Sequence, residues 1–274
     1  MVYQIYLPSF AATGAGALRG VTARIPYLAA LGIDAVWLSP FDASALADDE
    51  DEDEASADAG TSADPQPGTL ADFEEMTSAL DVHGIKVIVD LGPNGEAVDF
   101  ELLEADWDGA QFLRAITGRL PGWLRDGVAA TWVLSSRDAD PRRARAAALL
   151  MLALPGSAFL YQGEELGLHQ IADVTPAVRA QEHDPGSPLN FYRHALGWRR
   201  KLQGAESLEW MPGTSGQVLH FRRPGGWRSV TNFGPRAVPL PPGTVIASSA
   251  QRESAQLDRG VLPADTTAWI ISAD

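Results

Sequence analysis

The sequence contains no cysteine, which excludes disulfides, thiolate zinc sites and a thiol nucleophile. Lysine is nearly absent: only Lys86 and Lys201 occur among 21 basic residues, against 36 Asp and Glu, for a formal net charge of −15. Phosphate backbones are bound by clustered cations, so no nucleic-acid partner is expected. No uninterrupted apolar run approaches the ~18 residues a membrane-crossing helix needs, so no membrane span is expected. The opening MVYQIYLPSF lacks a basic stretch followed by an apolar one, so no secretory leader and a cytoplasmic location are expected. His83, His169, His183, His194 and His220 are scattered without metal-ligand spacing, so neither a metal site nor a cofactor is expected.

What is present is globular in character, with 45% hydrophobic and 21% charged residues over 274 positions. Short β-branched runs at 2–6, 35–39, 87–91, 131–135 and 157–161 alternate with helical stretches at 18–31, 70–83, 108–125 and 141–154. The runs at 35–39, 87–89 and 131–134 are apolar on both faces, as in parallel strands covered by helices. His83 and Gly84 are suited to finish the helix before them. After a helix at 189–202 the texture changes to six short strand candidates punctuated by Gly and Pro, the pattern of a small antiparallel β domain. The expected organisation is a domain over 1–202 and a β-sandwich-like domain over 203–274.

One segment stands apart. Seven consecutive acids occupy 48–54, and Asp58 and Asp64 follow before the next Gly-Thr, so one stretch carries most of the excess negative charge. No Lys or Arg lies between Arg24 and Lys86. Uncompensated acids with few apolar neighbours do not pack, so 42–67 is expected to be a solvated loop. It lacks the Gly and the spaced ligands of a calcium loop.

Several phrases together resemble the α-amylase superfamily of glycoside hydrolases, in its α-glucosidase branch. They are VYQIY at 2–6, YLAALGIDAVWLSPF at 27–41, GTLADF at 68–73, VIVDLGPN at 87–94, WVLS at 132–135, YQGEELG at 161–167 and NFG at 232–234. The resemblance implies a (β/α)8 barrel with an inserted domain after the third strand and a carboxy-terminal β domain. The departures are internal. The family's Asp-Leu-x-Pro-Asn-His appears as Asp90-Leu-Gly-Pro-Asn94 followed by Gly95, and Val98-Asp-Phe-Glu-Leu-Leu103 already resembles the sixth barrel strand. The fourth and fifth strands, which carry the family's nucleophilic Asp and acid/base Glu, are therefore missing, and no Gly-Phe-Arg-x-Asp phrase occurs. The family's Asn-His-Asp becomes Ser136-Arg137-Asp138, and the metal loop becomes 11–18, without a carboxylate.

The expected fold is thus α/β: a partial barrel of five to six parallel strands, plus the terminal antiparallel β domain. A retaining glycosidase needs two carboxyl groups about 5–5.5 Å apart. No intact catalytic pair is expected; Asp138 is the vestigial catalytic position, and Asp90 and Arg137 are vestigial substrate-binding candidates. Glu164 and Glu165 follow the last strand. A chance pairing of Asp138 with Glu164 is the route to activity, while helix or loop capping is the alternative for Asp90 and Glu164. Trp37 and Trp132 are expected in the core, and one or two of the other tryptophans are candidates for an exposed sugar platform. The expected role is binding or assembly without hydrolysis, the alternative being hydrolysis of α-glucosides through surviving carboxylates. Two apolar strand edges without neighbours favour self-association or a protein partner, and a weak carbohydrate ligand is the remaining candidate.

Overall fold

Helix-stopping residues and strand periodicity set the element order. The computed structural model describes residues 1–10, 16–39, 68–89, 106–126, 130–133, 140–168, 173–202, 204, 206–250 and 254–272, with backbone alone for 121–126. The chain runs β1 (Val2–Ile5), α1 (Leu7–Phe10), α2 (Ala17–Ala23), α3 (Ile25–Leu31), β2 (Ala35–Leu38), α4 (Leu70–Val82) and β3 (Lys86–Val89). It continues through α5 (Gly109–Asp126), β4 (Thr131–Val133), α6 (Pro141–Ala153), β5 (Ser157–Tyr161), α7 (Thr175–Gln181) and α8 (Pro188–Lys201). Then follow β6 (Glu209–Trp210), β7 (Val218–Arg222), β8 (Arg228–Asn232), β9 (Val238–Pro239), β10 (Thr244–Ser248), α9 (Ser254–Leu257), β11 (Val261–Leu262) and β12 (Thr266–Ile271).

The parallel sheet has the strand order β3-β2-β1-β5-β4. Val2 is opposite Ala35, Ala35 opposite Lys86, and Thr131 opposite Ser157. The terminal sheet is antiparallel, ordered β10-β12-β8-β7-β6, with a separate β11-β9 pair. The expected fold class, a partial barrel followed by an antiparallel β domain, is the one observed. The chain forms two compact units, one of Met1–Gly95 with Leu160–His183, the other of Glu96–Phe159 with Asp184–Asp274. That division differs from a cut at 202, because α5, β4, α6 and α8 belong to the same unit as the terminal strands.

In the first unit, the sequence expectation of one helix over 18–31 is corrected to two, α2 and α3. Pro26 sits in the first turn of α3 and has no N–H to continue a ladder from α2, so Arg24 ends one helix and begins the next. The start of α4 is held by a capping box: Thr69 Oγ1 accepts from Asp72 N at 3.1 Å and Asp72 Oδ2 accepts from Thr69 N at 3.0 Å. Its end is a Schellman motif. Gly84 N donates to Asp81 O at 2.9 Å, and Ile85 N to Leu80 O at 3.0 Å, which requires the left-handed φ of 69° at Gly84.

The expected burial of 87–89 on both faces is also corrected. β3 stands at the end of the strand order, and Ile88 is 40% exposed. β3 and β4 occupy opposite ends of that order and do not pair with each other. Residues 90–105, including the expected strand at 98–103, lie outside the described residues, as does the acidic stretch at 42–67.

In the second unit, α6 starts at Asp140, whose carboxylate accepts from Arg142 N and Arg143 N. Every residue from Ala146 to Ala153 is buried, so this helix is enclosed on all sides rather than amphipathic. Its carbonyls are used from outside: Thr267 Oγ1 donates to Ala146 O at 2.7 Å and Trp269 Nε1 to Leu149 O at 3.1 Å. Arg199 of α8 caps its end, donating to Leu152 O, to Leu154 O at 3.1 Å and to Gly156 O at 2.7 Å. Asp265 accepts from Trp107 Nε1 at 2.6 Å and from Arg143 at 3.3 Å, fixing the residues ahead of α5 beside the terminal strands.

Gly156 marks the tightest point. It has a φ of 97°, and a Cβ there would stand 2.2 Å from Ala130 O, the acceptor for Ser157 N. Gly156→Ala therefore has to displace the start of β4 from β5. A loss of about 3 kcal/mol is expected in urea unfolding, since strain adds to a backbone clash. A change of under ~0.5 kcal/mol, the range of neutral surface substitutions, would contradict the packing described.

Candidate functional site

The carboxyl end of β5 carries the densest set of buried polar groups in the first unit. β5 ends at Tyr161 and is followed by Gln162 and Gly163, whose φ of 85° turns the chain into a short 3-10 turn over Glu164–Leu166. A side chain at this φ is strained, which is why glycine stands between Gln162 and the two acids. Gln162 faces the end of β1: its Oε1 accepts from Tyr6 N at 2.9 Å, and its Nε2 donates to Ser9 Oγ at 2.9 Å.

Glu165 lies at the centre and is fully buried. Its Oε1 accepts from Tyr3 of β1 at 2.9 Å and from the hydroxyl of Tyr27 of α3. Oε2 is buried without a hydrogen-bond partner. Burial pushes the carboxyl up to about 6, although both tyrosine hydroxyls and the turn's backbone amides favour its charged form. Tyr3 is pushed well above the ordinary phenol range, first by burial and then by the adjacent carboxylate. The hydroxyl of Tyr3 also accepts from Gly163 N at 3.3 Å. These groups form one network joining β1, α3 and the turn after β5.

Nearby, Arg24 holds α7. Its Nη2 donates to Asp173 Oδ1 at 2.7 Å and to Thr175 Oγ1, while its guanidinium lies 5.1 Å from the centre of the Phe10 ring. Burial alone would raise the Asp173 carboxyl, but donation from Arg24 and Thr175 outweighs it and holds the group at about 2.

Glu165 is the described carboxyl here whose proton affinity burial raises. Glu164 is buried beside Glu165, and its Oε2 accepts from Tyr161 N at 3.3 Å, the backbone-capping alternative of the sequence reading. Asp90, Arg137 and Asp138 lie outside the described residues, so the pairing of Asp138 with Glu164 has no geometry here. Among the described residues, no group of three or more His, Asp or Glu side chains is placed to hold a metal. Nor does any described tryptophan form an exposed platform. Trp132, Trp227 and Trp269 are buried, and Trp107, Trp198 and Trp210 are half-buried; the side chain of Trp123 lies outside the described residues, and Trp37, expected in the core, is only half-buried. No described helix is long and apolar enough to cross a membrane.

Tyr3 and Tyr27 were not singled out by the sequence reading. The available signal was a phenol inside an apolar strand or an apolar helix face, because a buried hydroxyl requires a partner. Their common partner, Glu165, comes from more than 130 positions away along the chain.

The family profile "Alpha amylase, catalytic domain" matches residues 4–111. Trehalose-6-phosphate hydrolase of Escherichia coli (strain K12) is 43% identical over 94 residues, which make up 33% of this chain and 16% of that protein. Over this stretch the chain resembles the α-amylase superfamily, and the relatives matched there include α-glucosidases. The human amino acid transporter heavy chain SLC3A1 is 36% identical over 96 residues, 34% of this chain and 13% of that protein. The matched stretch thus spans only a small part of these relatives. The crystal structure of the α-glucosyl transfer enzyme XgtA superposes with a TM-score of 0.73, covering 99% of this chain and 98% of that one. At 16% identity this likeness concerns the fold.

The raised pKa of Glu165 gives the protein a signed pH dependence. The folded state binds the proton more tightly than the unfolded chain, so the stabilisation is complete below about 4.5 and is lost as pH rises through about 6. The contribution is about 2 kcal/mol, from the shift between those two values. Glu165→Gln cannot ionise, so the stability difference between wild type and variant should change by that amount between pH 4.5 and pH 7.5 in urea unfolding. Parallel pH profiles for the two proteins would contradict the assignment.

Proposed function

We propose that this chain is an α-glucosidase-like protein without hydrolase activity, whose role is binding or assembly. The observation that carries the reading is internal to the sequence. Only Gly92 to Ala97 separate the third-strand phrase from Val98, and the segments bearing the family's nucleophile and acid/base residue are missing. Retaining hydrolysis needs both carboxyls, and loss of the groups that act together removes most of an enzyme's acceleration. In this reading Asp138 is a vestige of the family's seventh-strand acid, and Asp90 and Arg137 are vestiges of its substrate contacts. Residues 1–202 descend from the barrel and 203–274 from the terminal β domain, whatever the division into compact units. Similarity to a transporter heavy chain supports a role for such a fold in assembly.

An assembly role is supported by the edge of the parallel sheet. β3 pairs with β2 on one side, no described strand lies on its other side, and Ile88 is exposed there. Unprotected apolar edges favour pairing with another chain. A second copy is the partner this supports first, and light scattering of the purified chain at micromolar concentration is then expected to show dimers or larger species. A clean monomer that binds no hydrophobic dye would contradict self-association. The purified chain is further expected to hydrolyse nitrophenyl α-glucoside no faster than buffer. Turnover that disappears in Asp138→Asn would overturn the non-catalytic reading and establish hydrolysis through surviving carboxylates.

A further inference from the structure

A polar cleft of about 350 Å³ lies within the second unit, between β6 and the β7–β8 hairpin. Ser207 and Glu209 line one side; Arg222, Arg223 and the Gly225-Gly226 turn line the other. The turn is firmly built. Gly226 N donates to Arg223 O at 3.1 Å across Pro224 and Gly225, and Arg223 N donates to Trp227 O at 2.9 Å. Gly225 and Gly226 have φ of 85° and 83°, and a Cβ at either would meet nothing within 4 Å. Glycine is needed there for its left-handed backbone, as in a type II Pro-Gly turn, and it leaves the rim open to an incoming group.

The two arginines are held differently. Arg223 is only 7% exposed. One terminal nitrogen donates to Ser207 O, the other lies 3.8 Å from Glu206, and Nε is buried with no partner. Its nearest carboxylate is therefore too distant for a hydrogen bond. Burial pulls its pKa down to about 10; Glu206 resists the shift and Arg199 adds to it. Arg222, half exposed, places Nε at 3.2 Å and Nη2 at 2.6 Å from the same oxygen of Glu209. Exposed pairs of this kind contribute little, so an incoming anion can replace the Glu209 carboxylate at modest cost. Within a chain of formal charge −15, the lining of this cleft holds two guanidinium groups against one carboxylate.

We propose that this cleft binds a small phosphate-type oxyanion, either free or as the monoester of a sugar-sized polyol, through Arg222 and Arg223. Planar guanidinium groups suit phosphate oxygens because they offer parallel N–H donors. The volume exceeds what a bare phosphate fills, leaving room beside Ser207 for a hydroxylated remainder. The site owes nothing to glycosidase chemistry and stands whether or not the chain hydrolyses glucosides.

The test is calorimetric titration of the full chain in low-salt, phosphate-free buffer with inorganic phosphate, glucose 6-phosphate and glucose. Saturable binding of both phosphate compounds and none of glucose is expected. Similar affinities for the two would identify the free anion as the ligand, and markedly tighter glucose 6-phosphate the ester. Arg222→Gln should weaken binding about tenfold, since a charge-assisted contact is lost. Glu209→Gln should tighten it several-fold by removing the competing carboxylate. Both side chains are exposed, so unchanged melting temperatures are expected to accompany these effects. The proposal is overturned if neither phosphate compound saturates below ~10 mM, a free energy too small for a built site. It is equally overturned if glucose binds as well as its phosphate, if Arg222→Gln leaves affinity unchanged, or if Glu209→Gln fails to increase it.

Discussion

A parallel neighbour for a β-strand requires a crossover of about a dozen residues, normally a helix, to return the chain to the same end of the sheet. After the third strand this chain offers six residues before the phrase at Val98, and the shortage governs the rest of its architecture. β3 becomes the terminal strand of the order. The next long helix, α5, leads instead to β4 at the opposite end of that order. Among the described residues the parallel sheet has five strands, fewer than the eight whose side chains fill a closed barrel.

The elements that local chemistry determines were legible in the sequence. His83 with Gly84 marks the end of α4 by local chemistry, whereas the capping box of Thr69 and Asp72 at its start was not read from the sequence. β5 coincides with its apolar run, and α6 begins at Pro141, where the helical stretch was expected to start. The break between α2 and α3 was less visible, because the apolar spacing continues through Pro26 while the backbone ladder cannot. The edge position of β3 was expected, but the exposure of Ile88 on its face was not. Val87, Ile88 and Val89 have the composition of a strand covered on both faces, and composition reflects the neighbours a strand usually has, not those missing from a particular chain.

The buried site illustrates a different limit. Glu165 was visible as one of two adjacent acids, but nothing local distinguishes the acid that caps a turn from the acid that loses its water. That difference arises only when Tyr3 and Tyr27 are brought together from a strand and a helix. Likewise, Arg223 is an ordinary hairpin arginine by sequence. Its burial and its unpartnered Nε depend on Ser207 and Glu206, which reach it from the connection after α8. Asp90, Arg137 and Asp138 were legible by family phrase alone, and a phrase fixes descent more firmly than it fixes chemistry.

The position of β12 has a consequence for the order in which the protein acquires structure during its synthesis. This strand lies between β10 and β8, and its Thr267 and Trp269 are donors to the carbonyls of α6. The sheet therefore lacks the strand that joins β10 to β8 until Thr266–Ile271 has left the ribosome, although α6 emerges more than 100 residues earlier. Chains begin folding from the amino terminus as they are made, and exposed hydrophobic surface in the waiting segments is what chaperones recognise. The enclosed run from Ala146 to Ala153 is such a segment, and it stays uncovered until Thr266–Ile271 is made. A nascent chain stalled before Thr266 would carry an exposed helix core rather than a smaller folded unit.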